Sequence, residues 1–543
     1  MLAVLISMAV LGPIQVACVG DSITQGRGGM NSYPAQLQKI LGDRYIVENY
    51  GRQSASVLPG TLQYRRLPEC ESALKSQPNV VLVMLGTNDS PGPNWTARRP
   101  AFTETYRSLV REFMGLPTKP KVVIMMPPPM FFSEADWRPK NLDEQIIPAL
   151  GEVAKELKLA TFDARALFDG KGDVFTDRLH PNNLGFRVLA EAVAKDVFDT
   201  PKREAKLKRL DWAKDAKRQV VVDREEGQYL GHVSTTLLPD SKTILAVYPK
   251  GHGKGAIVMK RSTDGGKTWS DRLPTPENWA TSLETPTLTR IDDKRIILWS
   301  GLYPARLAVS DDLGATWSPL KQAGDWGGIV VMGDVKPLKD GRWLALFHDD
   351  GRFFKQGGKL VPTMTLYETF SADNGLTWST PEAIFASSDV HLCEPGMIRS
   401  DDGRQLAVLL RENKRVKPSH VMFTNDEAKT WSTPRPMNEA LTGDRHTLKR
   451  LADGRLVCVF RDMQDGPWKG DFVAWVGSYE DLVMGKPGQM KIRLLDNQDS
   501  WDCGYPGLEI LPDGTVVATT YGHWDKDKPA YIKSVRFNAQ ELK

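Results

Sequence analysis

"VACVGDSITQGRG", residues 16–28, decides how the first third of the chain is read. A small-residue and β-branched run ends at Gly20, and Asp21-Ser22 then open a turn. An apolar run of this kind suits a strand covered on both faces. A serine just past its end either caps the next helix or is a nucleophile held at a sheet edge. The stretch alone leaves both readings open, so its partners have to be sought elsewhere.

Outward from it, the runs "IQVACVG" (14–20), "YIVEN" (45–49), "VVLVMLG" (80–86), "KVVIMM" (121–126) and "LATFDA" (159–164) alternate with helical patterns such as 101–116 and 142–158. The order β-α-β-α predicts a three-layer, flavodoxin-like α/β domain over residues 14–198. Its ligand crevice is expected at the C-terminal ends of the strands, where Ser22 falls. Residues 199–219, "DTPKREAKLKRLDWAKDAKRQ", are dense in charge and read as a linker. From 220 to 543 the strand-like runs shorten, and "STDGGKTW" (262–269) recurs as "SDDLGATW" (310–317), "SADNGLTW" (371–378) and a worn "TNDEAKTW" (424–431). Spacings of 48, 61 and 53 residues predict an all-β propeller, one four-stranded blade per repeat. The Asp, Gly and Trp of each box read as turn and packing residues.

A chain of 543 residues exceeds a single core. With 41% apolar and 25% charged residues it has a globular composition, and a net charge of +4 without a basic aromatic stretch gives no case for nucleic acid. Five cysteines form no CxxC pair, so no zinc site is implied, and no other metal or cofactor is called for. "MLAVLISMAVLG" (1–12) reads as a truncated export signal, with a strand-like extension as the alternative. It is too short to span a bilayer. A signal segment would make the protein periplasmic or secreted, and otherwise it would be cytoplasmic. The oligomeric state is not legible.

"DRLHPNNLG" (177–185) sets Asp177 and His180 three apart before a helix, a spacing that lets a carboxylate fix an imidazole aimed at Ser22. "LGTND" (85–89) brings the Asn88 amide to the same edge, and "NYGRQS" (49–54) brings Gly51. GDS, then Gly, then GxND, then DxxH, in that order and each beside a predicted element, resembles the SGNH (GDSL-type) hydrolases over residues 14–198. The resemblance implies Ser22 as nucleophile, His180 as base, Asp177 as its partner, and Ser22 N–H, Gly51 N–H and Asn88 as oxyanion donors. It leaves Asp21 to organise the turn. The stretch around Trp95 is similar to members that deacetylate sugars, with core packing as the alternative for that ring.

The boxed repeats resemble those of sialidases, six-bladed propellers, over residues 220–543. That resemblance implies Tyr505 of "CGYPGLEILPDGT" as nucleophile, Glu394 of "HLCEPGMIRSDDG" as its activating carboxylate and Arg411 as one arm of a carboxylate clamp. The pattern departs at His232, where an arginine is expected, and at the third arginine, for which Arg461 and Lys469 compete. Lys250, His252 and Lys254 fall in the first-blade loop of the sialidase acid/base, and "HDDGR" (348–352), "DRH" (444–446) and "GHW" (522–524) add polar groups. Cys393 and Cys503 flank the site residues and are candidates for a bridge, with two buried thiols as the alternative.

The combined reading is a carbohydrate O-acetylesterase whose propeller binds, and in one version hydrolyses, an acidic sugar on an acetylated glycan. Its rivals are an esterase with a lectin-like propeller, a bifunctional sialate O-acetylesterase and sialidase, and an interaction protein with an inactive serine site.

Overall fold

The computed structural model describes residues 13–542 except 27–31, 61, 94, 134, 176, 201–206, 326, 357–358, 361–363 and 500, and omits the side chains of 355–356 and 359–360. The apolar opening run 1–12 lies outside the described residues. The chain divides into two compact units between Glu204 and Ala205.

The first unit is a five-stranded parallel sheet. Its strands are β1 (Ile14–Gly20), β2 (Tyr45–Gly51), β3 (Val80–Met84), β4 (Lys121–Met126) and β5 (Ala160–Asp163), in the order β2-β1-β3-β4-β5. All of β3 and the last five residues of β1 are buried, which is why both read as unbroken apolar runs. Tyr33–Leu41 packs with Asn183–Phe198, and Trp95–Met114 packs with Ile147–Leu157, the second pair meeting Val81, Val83 and Ile124 of the sheet. Gly20 lies opposite Gly51 on one side and Met84 on the other. Three strand ends therefore finish level, and the loops that follow them share one edge of the sheet.

The second unit is a six-bladed propeller of antiparallel sheets. Its innermost strands, Ser234–Leu237, Pro286–Arg290, Val331–Pro337, Leu392–Arg399, Gly443–Arg450 and Cys503–Ile510, line a central channel of about 580 Å³. Each box closes the turn after the third strand of its blade. In the first, Asp264 Oδ1 accepts the Lys267 and Thr268 N–H groups, both at 3.0 Å, while Ser262 Oγ accepts Gly266 N–H at 2.8 Å. The threonine N–H bond to the aspartate and the bond to the Ser or Thr hydroxyl recur around Asp312, Asp373 and Asp426. Trp317 and Trp378 stand edge-on to Trp279 and Trp299 at 5.2 Å. The strands alternate in direction, so the boxes lie at the opposite end of the propeller from the starts of the innermost strands.

The expected linker is corrected. Lys208–Asp211 pairs in parallel with Met490–Leu495, and Gln219–Asp223 pairs antiparallel with Tyr531–Asn538. Both are outermost strands, and in Lys208–Asp211 the charged side chains face solvent and discourage further pairing, so a strand of this kind has the composition of a linker.

Candidate active sites

Past β1 the chain turns at once. Asp21 Oδ1 accepts Ile23 N–H at 2.9 Å and caps the short helix Ser22–Gln25, so Ser22 stands at the sheet edge. Asp21 is wholly buried, and burial pushes its carboxyl up to about 7. Ser22 N–H, in the first turn, has no intrahelical acceptor. Ser22 Oγ is 2.9 Å from His180 Nε2, and His180 Nδ1 is 2.8 Å from Asp177 Oδ2. Asp177 Oδ1 also accepts the backbone N–H of His180 at 2.8 Å and of Leu179 at 3.2 Å. The carboxylate thus folds its own loop, and Asn182 caps the helix behind it through Gly185 N–H at 2.9 Å. An imidazole bonded at Nδ1 presents Nε2 as the acceptor for a serine proton.

Asn88 lies in the Thr87–Asp89 turn that follows β3. Its Nδ2 donates to Ala55 O at 3.0 Å, which occupies one of its two hydrogens. Asp89 accepts Val57 and Leu58 N–H at 2.9 and 2.8 Å and ties the two loops together, and burial pushes its carboxyl up to about 6. Trp95 is buried against Phe102, and its indole donates to Asp89 O at 2.7 Å, so the ring is packing. Gly51 departs from expectation. Its N–H donates to Asn49 Oδ1 at 2.9 Å instead of facing the crevice. What requires glycine there is space, because a Cβ would come within 2.2 Å of Gln25 N.

In the propeller, Tyr505 Oη donates to Glu394 Oε1 at 2.6 Å. Glu394, Arg445, Tyr505 and His232 hold φ of 51°, 56°, 49° and 55°. The first three occupy bulges at the starts of their innermost strands. Left-handed backbone costs a non-glycine residue roughly 1–2 kcal/mol, and bulges re-aim side chains. Gly396 and Gly507 follow two residues after Glu394 and Tyr505, where a Cβ would lie 2.1 Å from His446 O and from Thr235 Oγ1 of neighbouring blades.

Residues 18–188 match the GDSL-like Lipase/Acylhydrolase family and residues 298–517 the BNR repeat-like domain. Residues 18–188 are a GDSL-like acylhydrolase domain, and a BNR-repeat propeller follows it. The acetylxylan esterase of Xylanibacter ruminicola is 36% identical over 206 residues, 34% of this chain and 43% of that protein. The chain thus spans less than half the length of this curated relative. A Dyadobacter fermentans structure of unknown function covers 59% of this chain and 98% of its own, at 16% identity and a TM-score of 0.48. An α-L-arabinanase of Penicillium chrysogenum, complexed with arabinobiose, covers 60% and 98%, at 12% identity and a TM-score of 0.45.

In the BNR-repeat propeller the cations expected to hold a substrate carboxylate are paired within the chain. Arg411 pairs with Glu394 Oε1 at 2.7 Å and with Asp444 Oδ1 at 3.1 Å. Arg461 pairs with Asp444 at 2.5 Å and donates to Trp501 O and Cys503 O at 2.7 and 2.8 Å. Asp444 also takes Arg415, at 2.8 Å. Lys250 is bound to Glu225 at 2.9 Å, and Lys469 to Asp465 at 2.8 Å. His232 Nδ1 accepts Gly253 N–H at 3.0 Å, and burial pushes its imidazole down to about 3, so it carries no charge near neutrality. Glu394 stays ionised. Burial opposes its charge, but the Arg411 guanidinium and the Tyr505 hydroxyl outweigh that and hold it well below the usual carboxylate range.

Cys393 and Cys503 are not bridged, and all five cysteines are free and buried. The Cys503 thiol donates to Gly470 O at 3.1 Å, in the loop that leads into Phe472–Gly477 of the neighbouring blade. Among the described residues no group of side chains has a metal-binding arrangement, and no helix is long and apolar enough to cross a membrane. Asp444, Arg445, Tyr229 and Asp502 are site residues that sequence reading missed as individuals. All lie in or beside stretches that drew attention, "DRH", "YLGHVSTTLL" and "CGYPG".

Proposed function

We propose that the first domain is a serine esterase that removes O-acetyl groups from a polysaccharide. The observation that carries this is the unbroken chain from Ser22 Oγ through His180 to Asp177, at 2.9 and 2.8 Å. His180 Nε2 takes the Ser22 proton as Oγ attacks the acetyl carbonyl, and the oxyanion is met by Ser22 N–H and the second Asn88 hydrogen. His180 then hands its proton to the departing sugar hydroxyl, and water hydrolyses the acetyl-serine by the same route. The acetylxylan esterase of Xylanibacter ruminicola supports an acetylated xylan as substrate. Such a polymer lies outside the cell, which supports export. Acetate release from acetylated xylo-oligosaccharides tests the reading. Ser22→Ala should lose several orders of magnitude, and release at the wild-type rate by that variant would end it.

The 2.6 Å contact between Tyr505 and Glu394 favours a second reading for the propeller, a sugar site in which these two groups act on a glycosidic bond. The internal pairing of Arg411, Arg461 and Lys250 supports a neutral sugar over an acidic one, since each of these three cations already has a carboxylate partner of its own chain. Neutral and uronic-acid oligosaccharides compared by calorimetry separate the two. Binding confined to the uronic acids would reverse the preference.

A further inference from the structure

A glycosidic oxygen does not leave readily as a bare alkoxide near neutral pH, so it takes a proton as its bond breaks. Tyr505 and Glu394 cannot supply that proton, because the one they share is engaged at the nucleophile. The donor has to stand beside Tyr505, face open space and hold an exchangeable proton.

His252 meets these conditions. It follows the strand Ile244–Pro249, between Gly251 and Gly253 at φ 146° and 73°. Its ring stands edge-on to His232 at 4.6 Å, and the His232 ring lies 4.3 Å from that of Tyr505. Its Nδ1 is 2.9 Å from Tyr229 Oη, and Tyr229 donates onward to Asp502 at 2.9 Å. Asp502 lies 3.5 Å from the same Nδ1 and is itself fixed by Tyr521 and His523, both at 3.1 Å. Nε2 has no partner among the described residues, and the side chain is 60% exposed. Glu284 and Arg461 also act on the ring, the first favouring its charge and the second opposing it.

We propose that His252, held by Tyr229 and Asp502, is the proton donor and acceptor of the propeller site and serves the hydrolysis of a neutral glycoside. This rests on the reading of Tyr505 and Glu394 given above. In the first step Tyr505 Oη bonds to the anomeric carbon and its proton passes to Glu394. The bond to the leaving sugar breaks, and that oxygen takes the proton of His252 Nε2. In the second step His252 takes a proton from water, whose oxygen bonds to the anomeric carbon. The bond to Tyr505 breaks, and Tyr505 recovers its proton from Glu394. One water is consumed and every side chain ends as it began. The hydrogen bond to Asp502 raises the His252 imidazole above its ordinary value, against the effect of burial, and so favours the protonated donor.

The test uses a panel of neutral glycosides, each with a 2,4-dinitrophenyl leaving group, which needs no proton, and with a methyl group, which does. Wild type should cleave both forms, and Tyr505→Phe and Glu394→Gln should lose both. His252→Ala should lose about 10²–10⁴ in kcat/KM on the methyl glycosides, the usual weight of a general acid. It should lose much less on the dinitrophenyl forms, and added azide should yield the glycosyl azide. Tyr229→Phe and Asp502→Asn should shift the alkaline limb of the kcat/KM profile to lower pH, an effect that structural damage alone does not produce. Equal losses on both leaving groups, with no azide product, would overturn the role of His252 and leave Tyr505 and Glu394 standing. Cleavage unchanged in Tyr505→Phe and Glu394→Gln, or no cleavage by wild type, would overturn the site and this role with it.

Discussion

Asn88→Ala removes one of two oxyanion donors, since Gly51 N–H is already committed to Asn49. A single oxyanion donor contributes about 10²–10³ in kcat, or roughly 2.7–4 kcal/mol. With two donors sharing the charge instead of three, the loss should fall at the upper end of that range. The same substitution breaks the 3.0 Å bond to Ala55 O. A partly buried bond of that kind contributes only about 1 kcal/mol to stability, so the kinetic effect should far exceed the structural one. Asn88→Asp keeps the side-chain shape but sets a carboxylate against a developing anion, and should be slower than Ala. Initial rates of acetate release with kcat and KM separated, read beside thermal melts, distinguish the cases. A kcat within threefold of wild type, in a variant whose melt has shifted, would remove Asn88 from the chemistry and leave it only a loop tether.

Gly51→Ala should lower both esterase activity and stability, because a Cβ 2.2 Å from Gln25 N forces the Ser22 turn to move. Wild-type behaviour would mean that the two segments are not so close. Asp21→Asn should stabilise the protein only at higher pH. The buried carboxyl titrates at about 7 against an ordinary 3.8, so the folded state resists its ionisation. The penalty is absent below pH 4, grows as pH rises through the interval and is complete above 7, with an upper bound of about 4 kcal/mol. A gain equal at pH 4 and pH 8 in chemical denaturation would contradict this. Thiol titration should find five free thiols after denaturation and slow reaction before it, since every cysteine is buried. Three thiols in unreduced, denatured protein would restore a bridge.

Much of the first site was legible because its determinants are local. Three of the motifs sit within a few residues of a strand end and the fourth just ahead of the helix Asn183–Phe198, and β1 and β3 read as buried runs because they are buried on both faces. The Gly51 expectation failed at equally short range. Asn49, two residues upstream, has a side chain that reaches its neighbour's N–H, as asparagine commonly does. The propeller failed at long range. Arg411 and Arg461 looked available in the sequence, and nothing there shows that Asp444 converges on both, or that Glu394 takes Arg411 as well. Cys393 and Cys503 neighbour residues that meet, but Cys393 is next to Glu394, and successive side chains on a strand point to opposite faces, while the bulge between Gly504 and Gly507 breaks the alternation from Cys503 to Tyr505, so proximity in sequence did not carry over to the sulfurs.

The pairing of Gln219–Asp223 with Tyr531–Asn538 has a consequence for synthesis on the ribosome. The first domain can complete its sheet once β5 has emerged, because all five of its strands lie within the first 163 residues. The propeller's closing strand emerges early and then waits for a partner near the far end of the chain. At roughly 5–20 residues per second that wait lasts some tens of seconds. For that interval its hydrogen-bonding edge is unsatisfied beside an already folded neighbour, and any chaperone this chain needs should bind then. The same order governs dissection. A propeller cut at residue 220 would lose the Lys208–Asp211 strand and the first residue of its closing strand, so a fragment meant to fold should begin ahead of Lys208.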